Sequence, residues 1–224
     1  MIQFSDFYQR ARERKGGDSA IADHLPEVAT ASELISRSDD RYLSDFTRCV
    51  FRAGFVWRII DNKWTGFEEA FSGFVPRYWQ QAPPERLEAL ASDARVVRNM
   101  QKISTVPRNA RMIVEASESH GSFGKFLAEW PSSDQVGLLL WLKKNGSRLG
   151  GATSQYFLRR QGWDGFILSL DVVTALTNHN LMDASPTSKK GLEQAQAAFN
   201  QWHEETGLPY SHLSRILSFT LDAR

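Results

Sequence analysis

Three groups of residues in this chain have the types and spacing that chemistry asks for. The first is one carboxylate: Asp171 stands in Phe166-Ile-Leu-Ser-Leu-Asp-Val-Val-Thr-Ala-Leu176, with apolar residues on both sides. An acid in such a run is expensive to bury unless its charge is used. In a partly dry cleft it can stabilise a developing positive charge or orient a water. A plainer role fits as well, because an aspartate here would N-cap a helix starting at Val172.

The second group lies twenty positions earlier, in Leu142-Lys-Lys-Asn-Gly-Ser-Arg-Leu-Gly-Gly-Ala-Thr-Ser-Gln-Tyr-Phe-Leu158. Gly146, Gly150 and Gly151 predict a tight turn between two helices, since glycine accepts positive φ without steric cost. The second helix begins near Gly151, so its unpaired amides and positive dipole end point out of the turn, where a phosphate can sit. Ser147 and Thr153 add hydroxyl donors, and Lys143, Lys144 and Arg148 add charge. An ordinary helical hairpin with glycine at a C-cap accounts for the same residues. The third group is basic and aromatic. Arg95, Arg98, Lys102, Arg108 and Arg111 follow one another with no acid between them, and Cys49-Val-Phe-Arg-Ala-Gly-Phe-Val-Trp57 places three aromatic rings within seven residues.

The elements that position these groups are helical almost throughout. Phe46, Val50, Ala53, Trp57 and Ile60 recur at steps of three and four, and no stretch sustains period-two alternation. Pro83-Pro84 opens a helix over 85–91, Ser92 can cap one over 93–97, and Ser132-Ser133-Asp134 precedes a helix ending at Lys144. A long polar-faced helix is expected over 190–206, after an interruption at 183–188. About ten helices result, in an all-α fold without internal repeats.

Composition sets outer limits. The 224 residues suffice for one substantial core or two small lobes, and 42% apolar with 24% charged residues is ordinary globular composition. The greasiest run, 136–142, is cut off by Lys143 and Lys144, far short of a membrane span. The mixed, charged start of the chain does not read as a secretory signal, so a cytoplasmic location is expected. The single cysteine, Cys49, forms no internal disulfide and anchors no thiolate zinc site; no metal and no cofactor are expected. A net charge of +1 means that any contact with nucleic acid must come from local clustering.

Together, the glycine turn and Asp171 resemble the hairpin followed by a catalytic aspartate of the helix-hairpin-helix DNA glycosylase superfamily. Independently, the 49–57 run, followed by Lys63-Trp64 and Phe67-Glu-Glu-Ala-Phe71, resembles a helix of the bacterial 3-methyladenine DNA glycosylase I family. In the same order, Val97-Arg-Asn-Met-Gln-Lys-Ile103 with Asn109-Ala-Arg111 is similar to that family's arginine, lysine and N-A-R helix. Leu142-Lys-Lys144 with Gly151-Ala-Thr153 resembles its L-K-K and hairpin. There are departures too. The family carries a pocket glutamate where this chain has Cys49, and a Cys/His zinc site that one cysteine cannot supply.

The resemblance implies a two-lobed helical glycosylase-like fold of one unit over 1–224, with a family-like core over 42–182 and the hairpin at about 145–153. The segments 1–41 and 183–224 are expected to pack together as a second lobe. It further implies a monofunctional enzyme that flips a damaged purine, 3-methyladenine or another alkylated base, out of double-stranded DNA and hydrolyses its glycosidic bond. Asp171 is then the catalytic acid. Cys49, Phe51, Phe55, Trp57, Trp64 and Tyr156 form the base pocket, although core packing competes for Phe51 and Trp64. Lys102, Arg108, Lys143, Lys144, Ser147, Arg148, Gly150, Gly151 and Thr153 bind the DNA backbone. Thr153 occupies the position at which lyase members of the superfamily carry a lysine nucleophile, so no lyase activity is expected. The protein is expected to be a monomer associated with bacterial DNA. The competing readings are a non-catalytic DNA-binding module and a helical protein-interaction domain.

Overall fold

The computed structural model describes residues 2–221, and among these every regular element is helical. In chain order they are α1 (Phe4–Lys15), α2 (Asp18–Ala22), α3 (Ala31–Ser36), α4 (Asp39–Arg52), α5 (Trp57–Asn62), α6 (Trp64–Ala70), α7 (Pro76–Trp79) and α8 (Pro84–Ser92). They continue as α9 (Met100–Ile103), α10 (Val106–His120), α11 (Phe123–Glu129), α12 (Gln135–Asn145), α13 (Ala152–Gln161), α14 (Leu170–Asn178), α15 (Lys189–Thr206) and α16 (Tyr210–Ser218). Among the described residues sixteen α-helices replace the ten or so expected, because several periodic runs are cut into one- or two-turn pieces. The series Phe46 to Ile60 is one: α4 stops at Arg52, Gly54 takes φ +76°, and a new helix starts at Trp57. Ser92 ends α8 and caps nothing downstream; the cap is Asn99, whose side chain accepts from the Lys102 amide ahead of α9.

The chain falls into two compact units. One comprises 1–29, 131–138 and 158–224; the other comprises 30–130 and 139–157. In the second unit, α4, α10 and α11 surround an aromatic core. Phe46 stacks on Phe157 with centroids 3.5 Å apart, and Tyr42 meets Phe123 edge-on. Beside them Trp64, Phe67, Phe71 and Phe74 lie nearly parallel, and Arg48 sits over the Trp64 ring at 4.4 Å. Glu68 satisfies the polar groups around this stack, accepting two bonds from Arg41 and one from the Trp64 indole N–H. Trp79, whose place after a turn would suit an exposed ring, is fully buried and donates to the Phe71 carbonyl at 2.7 Å.

Close approach in this unit depends on one glycine. A β-carbon on Gly124 in α11 would stand 2.1 Å from the Leu34 carbonyl oxygen, which also accepts the Tyr42 hydroxyl at 2.7 Å. No side chain fits between α3 and α11 at that point.

In the first unit Phe4, Phe7, Phe199 and Trp202 pack together, and Phe166 stacks on Phe199 at 4.6 Å. The apolar run 163–169 is not helical, yet it is largely buried, so its backbone groups need partners. The Gln135 amide pairs with both the N–H and the C=O of Phe166 at 2.8 Å, and Ser214 accepts from Ile167 at 2.9 Å. This extended segment leads directly into α14 and fixes where Asp171 stands.

Two outcomes follow from the α3–α11 contact. Gly124→Ala loses about 1–3 kcal/mol in urea unfolding by forcing the helices apart, despite alanine's better helix propensity. Burial pushes the Tyr42 hydroxyl up to about 12. The unfolded chain therefore gives up this proton first, and stability falls as pH rises above 10. Urea midpoints should show about 1.5 kcal/mol lost between pH 10 and 11.5 that is missing from Tyr42→Phe.

Candidate functional site

The end of α4 begins the site. After Arg52 the chain turns through Ala53, Gly54, Phe55 and Val56 into α5, and every residue from 53 to 59 is exposed. Phe55 is 38% exposed, Trp57 47% and Tyr156 36%, values too high for core aromatics and enough to form an accessible ledge. Trp57 meets Tyr156 edge-to-face at 5.2 Å, and the Arg52 guanidinium covers Trp57 at 5.1 Å while being held by Asp61. Electron-rich rings arranged this way suit a flat, positively charged ring. Cys49, Phe51 and Trp64 do not join them: all three are at most 5% exposed, with Phe51 edge-on to Phe67 and Trp64 inside the aromatic stack. For Phe51 and Trp64 the core won, because α4 and α6 turn their apolar faces inward.

A helix terminus leaves its last carbonyls without intrahelical partners, and at α4 a lysine supplies them. Lys102 lies 5% exposed, donates to the carbonyls of Phe51 and Ala53, and stands 4.3 Å from the Phe55 ring. Burial, and to a lesser degree the charge of Arg148, lower its pKa. Lys102 was expected on a DNA phosphate; here its ammonium is consumed in capping α4 and fixing the aromatic ledge.

The turn between α12 and α13 is held in the same way. The side chain of Asn109, fully buried in α10, accepts from the Ser147 amide at 2.7 Å and donates to the Ser147 carbonyl at 3.3 Å. Arg108 donates to the carbonyls of Lys144 and Asn145, ending α12, so its guanidinium clamps the hairpin before it meets any phosphate. Arg148 takes φ +57° and bonds Gln101, and Gly151 takes φ +59° just before α13. Gly146 serves for space, because a β-carbon there would meet the Leu149 side chain at 2.3 Å. Lys143, Lys144, Arg148 and Gly151 are exposed, and Ser147, Gly150 and Thr153 half-buried, around the amide end of α13. Tyr156, one turn further along α13, is the ring that meets Trp57. One short helix thus carries both an exposed amide end and an edge of the aromatic ledge.

Asp171 belongs to the other unit. Ser169, not Asp171, caps α14, accepting from the Val172 amide, and Asp171 sits half-buried in the first turn, where the helix dipole favours a carboxylate. It opens on a cavity of about 370 Å³ whose wall includes Arg14, Lys15, Arg215 and Phe219. Nothing in the sequence pointed to these partners. Among the described residues, no group of three or more His, Cys, Asp or Glu side chains stands close enough to hold a metal ion, and no helix is long and apolar enough to cross a membrane.

The methyladenine glycosylase family model matches residues 35–138. Over that segment the chain is similar to the methyladenine glycosylase family. The segment contains the α4–α5 ledge, Lys102, Arg108 and Asn109, and it stops before the hairpin and Asp171. Solved structures agree in fold. A mutant of 3-methyladenine DNA glycosylase I from Staphylococcus aureus is 21% identical over 64% of this chain and 84% of that one, with a TM-score of 0.51. A structure addressing 3-methyladenine recognition by the S. aureus enzyme is 20% identical over 64% and 83%, also at 0.51. A further 3-methyladenine DNA glycosylase I structure is 21% identical over 65% and 87%, at 0.51.

The family segment thus supplies the ledge and the brace of the hairpin, and Asn109 is its most sensitive point. Asn109→Ala leaves the buried amide and carbonyl of Ser147 without a partner. It should cost about 1–3 kcal/mol in urea unfolding and weaken binding to a DNA duplex, as read by fluorescence anisotropy.

Proposed function

We propose that the protein is a monofunctional DNA glycosylase that hydrolyses the N-glycosidic bond of a flipped, damaged purine, 3-methyladenine or another alkylated base. The observation that carries this reading is the double use of α13. Its first turn offers amides to a backbone phosphate, while Tyr156 faces Trp57 across the ledge. Two grips on one nucleotide are what base extrusion requires, since the enzyme must hold the strand while it lodges the base.

An alkylated purine is already cationic and leaves readily, so the pocket needs electron-rich faces more than a general acid. Phe55, Trp57 and Tyr156 supply those faces, and the exposed hairpin residues Lys143, Lys144, Ser147, Arg148, Gly150, Gly151 and Thr153 contact the strand. Asp171 would stabilise the oxocarbenium-like sugar and position the attacking water. Thr153 offers no amine, so the chain is not nicked after base release. The protein acts as a monomer on damaged duplex.

One observation favours a second reading. Cys49, buried in α4 away from the ledge, stands where the resemblance to the 3-methyladenine DNA glycosylase I family places a pocket glutamate, so a binding module that has lost its chemistry fits the same ledge and hairpin.

The test is base release from methylated duplex and from a panel of single-lesion duplexes, comparing wild type with Asp171→Asn. The wild type should release a purine without strand scission, and the variant should release it about 100- to 10,000-fold more slowly while still binding duplex. Binding without release of any base by the wild type would replace this proposal with the binding module.

A further inference from the structure

Trp57 stands at the centre of the aromatic ledge, yet no hydrogen bond fixes its ring. Trp64 and Trp79 are oriented by their indole N–H groups, which donate to Glu68 and to the Phe71 carbonyl. Among the described residues the Trp57 indole N–H bonds no partner, and the residue is 47% exposed. The turn before it, 53–56, is exposed as well and lends it no rigid wall. Its orientation depends on two contacts: Tyr156, whose ring plane stands at 83° to the indole, and the guanidinium of Arg52, 5.1 Å from the ring centroid.

Arg52 is itself immobilised. It is the last residue of α4, and two of its nitrogens reach Asp61 in α5. Nε donates to Oδ1 at 3.1 Å, while Nη2 donates to Oδ1 at 2.7 Å and to Oδ2 at 2.6 Å. A forked contact of this kind fixes the guanidinium plane, which a single bond would leave free to rotate. Asp61 lies four residues after Trp57, one turn along the same face of α5. The arginine therefore covers the ring, and the acid one turn beyond the ring holds the arginine.

A plainer account makes the pair a staple across the α4–α5 corner. That explains the pairing, but partly exposed ion pairs contribute little to stability, and it leaves the guanidinium's place over an exposed indole without a reason. A ring ordered before its ligand arrives loses less freedom on binding. We propose that Arg52 is a positioning residue of the ledge: pinned by Asp61, it fixes the plane of the Trp57 indole, so that a flipped base meets a ring already set for stacking. The base rests on the glycosylase reading; the fixing of Trp57 does not.

The experiment compares wild type with Arg52→Met, Arg52→Lys and Asp61→Asn, with circular dichroism as a check on folding. The two milder substitutions, Arg52→Lys and Asp61→Asn, keep the test readable if Arg52→Met fails to fold. In the free protein, the heteronuclear NOE of the Trp57 indole N–H reports ring mobility on the ps–ns scale, its resonance being assigned by its loss in Trp57→Phe. It should fall in all three variants while the Trp64 and Trp79 indoles keep their values. An unchanged NOE overturns the proposal.

The second readout is affinity for a duplex carrying one 3-methyladenine on a 2′-fluorinated sugar, which resists cleavage, divided by affinity for the same duplex undamaged. The ratio cancels any general change in charge. It should fall about three- to tenfold in each variant, and Arg52→Met should lower it no further in a Trp57→Ala background, because the arginine acts through the ring. A direct phosphate contact predicts otherwise. Arg52→Met would then weaken both duplexes alike and make the salt slope shallower by about 0.9, Arg52→Lys would keep binding, and Asp61→Asn would tighten it by freeing the cation. That pattern, or a ring loosened with the ratio unchanged, overturns the proposal. A wild type that neither prefers the damaged duplex nor releases a base fails the glycosylase reading instead, and the NOE then decides alone whether Arg52 fixes Trp57.

Discussion

A helix that ends inside a protein must find partners for its last carbonyls, and the candidate site is built on two answers to that demand. Lys102 serves the end of α4, and Arg108 serves the end of α12. Between them Asn109 holds the Ser147 peptide from both sides. These three residues lie within eight positions of one another, so one short stretch fixes the aromatic ledge and the hairpin relative to each other. Each bond is modest on its own, but leaving such buried groups unpaired would cost more than the bonds contribute. The arrangement explains why Lys102 and Arg108 turn their donors to backbone carbonyls: those donors are spent on rigidity.

That inversion marks the limit of what was legible in the sequence. Helical periodicity gave the fold class, and the glycines marked the hairpin because positive φ is a property of residue type, as at Gly151. The pattern could not show that Arg148 would also take positive φ, or that Gly146 is needed for the Leu149 side chain and not for its own dihedrals. Phe51 and Trp57 look alike in a chain of 26 aromatics, yet one is fully buried and the other half exposed, because α4 ends between them. Lys102 looked like a phosphate ligand because its two carbonyl partners lie about fifty residues away in sequence. Local propensity has no access to such pairings.

The surroundings of Asp171 were the least legible of all. Arg14 and Lys15 precede it by more than 150 residues, and only the folding of α1 against α16 gathers them. The extended segment before α14 depends on similarly distant partners, Gln135 and Ser214. An apolar run that looks like another helix or a strand is instead a straight, buried lead-in that presents an acid at the start of α14. Its electrostatic setting, rich in cations, differs from the partly dry cleft expected of a lone carboxylate.

The account stands on one nucleotide being gripped by the hairpin and by the aromatic ledge at the same time. Hydrogen exchange, compared with and without a duplex carrying one alkylated purine on a 2′-fluorinated sugar, which resists glycosidic cleavage, measures this most directly. Protection should appear together at the amides of 150–153 and of 54–57, and an undamaged duplex of the same length should protect the hairpin alone. Protection confined to the hairpin with both duplexes would contradict the account and leave a protein that holds DNA without taking a base from it.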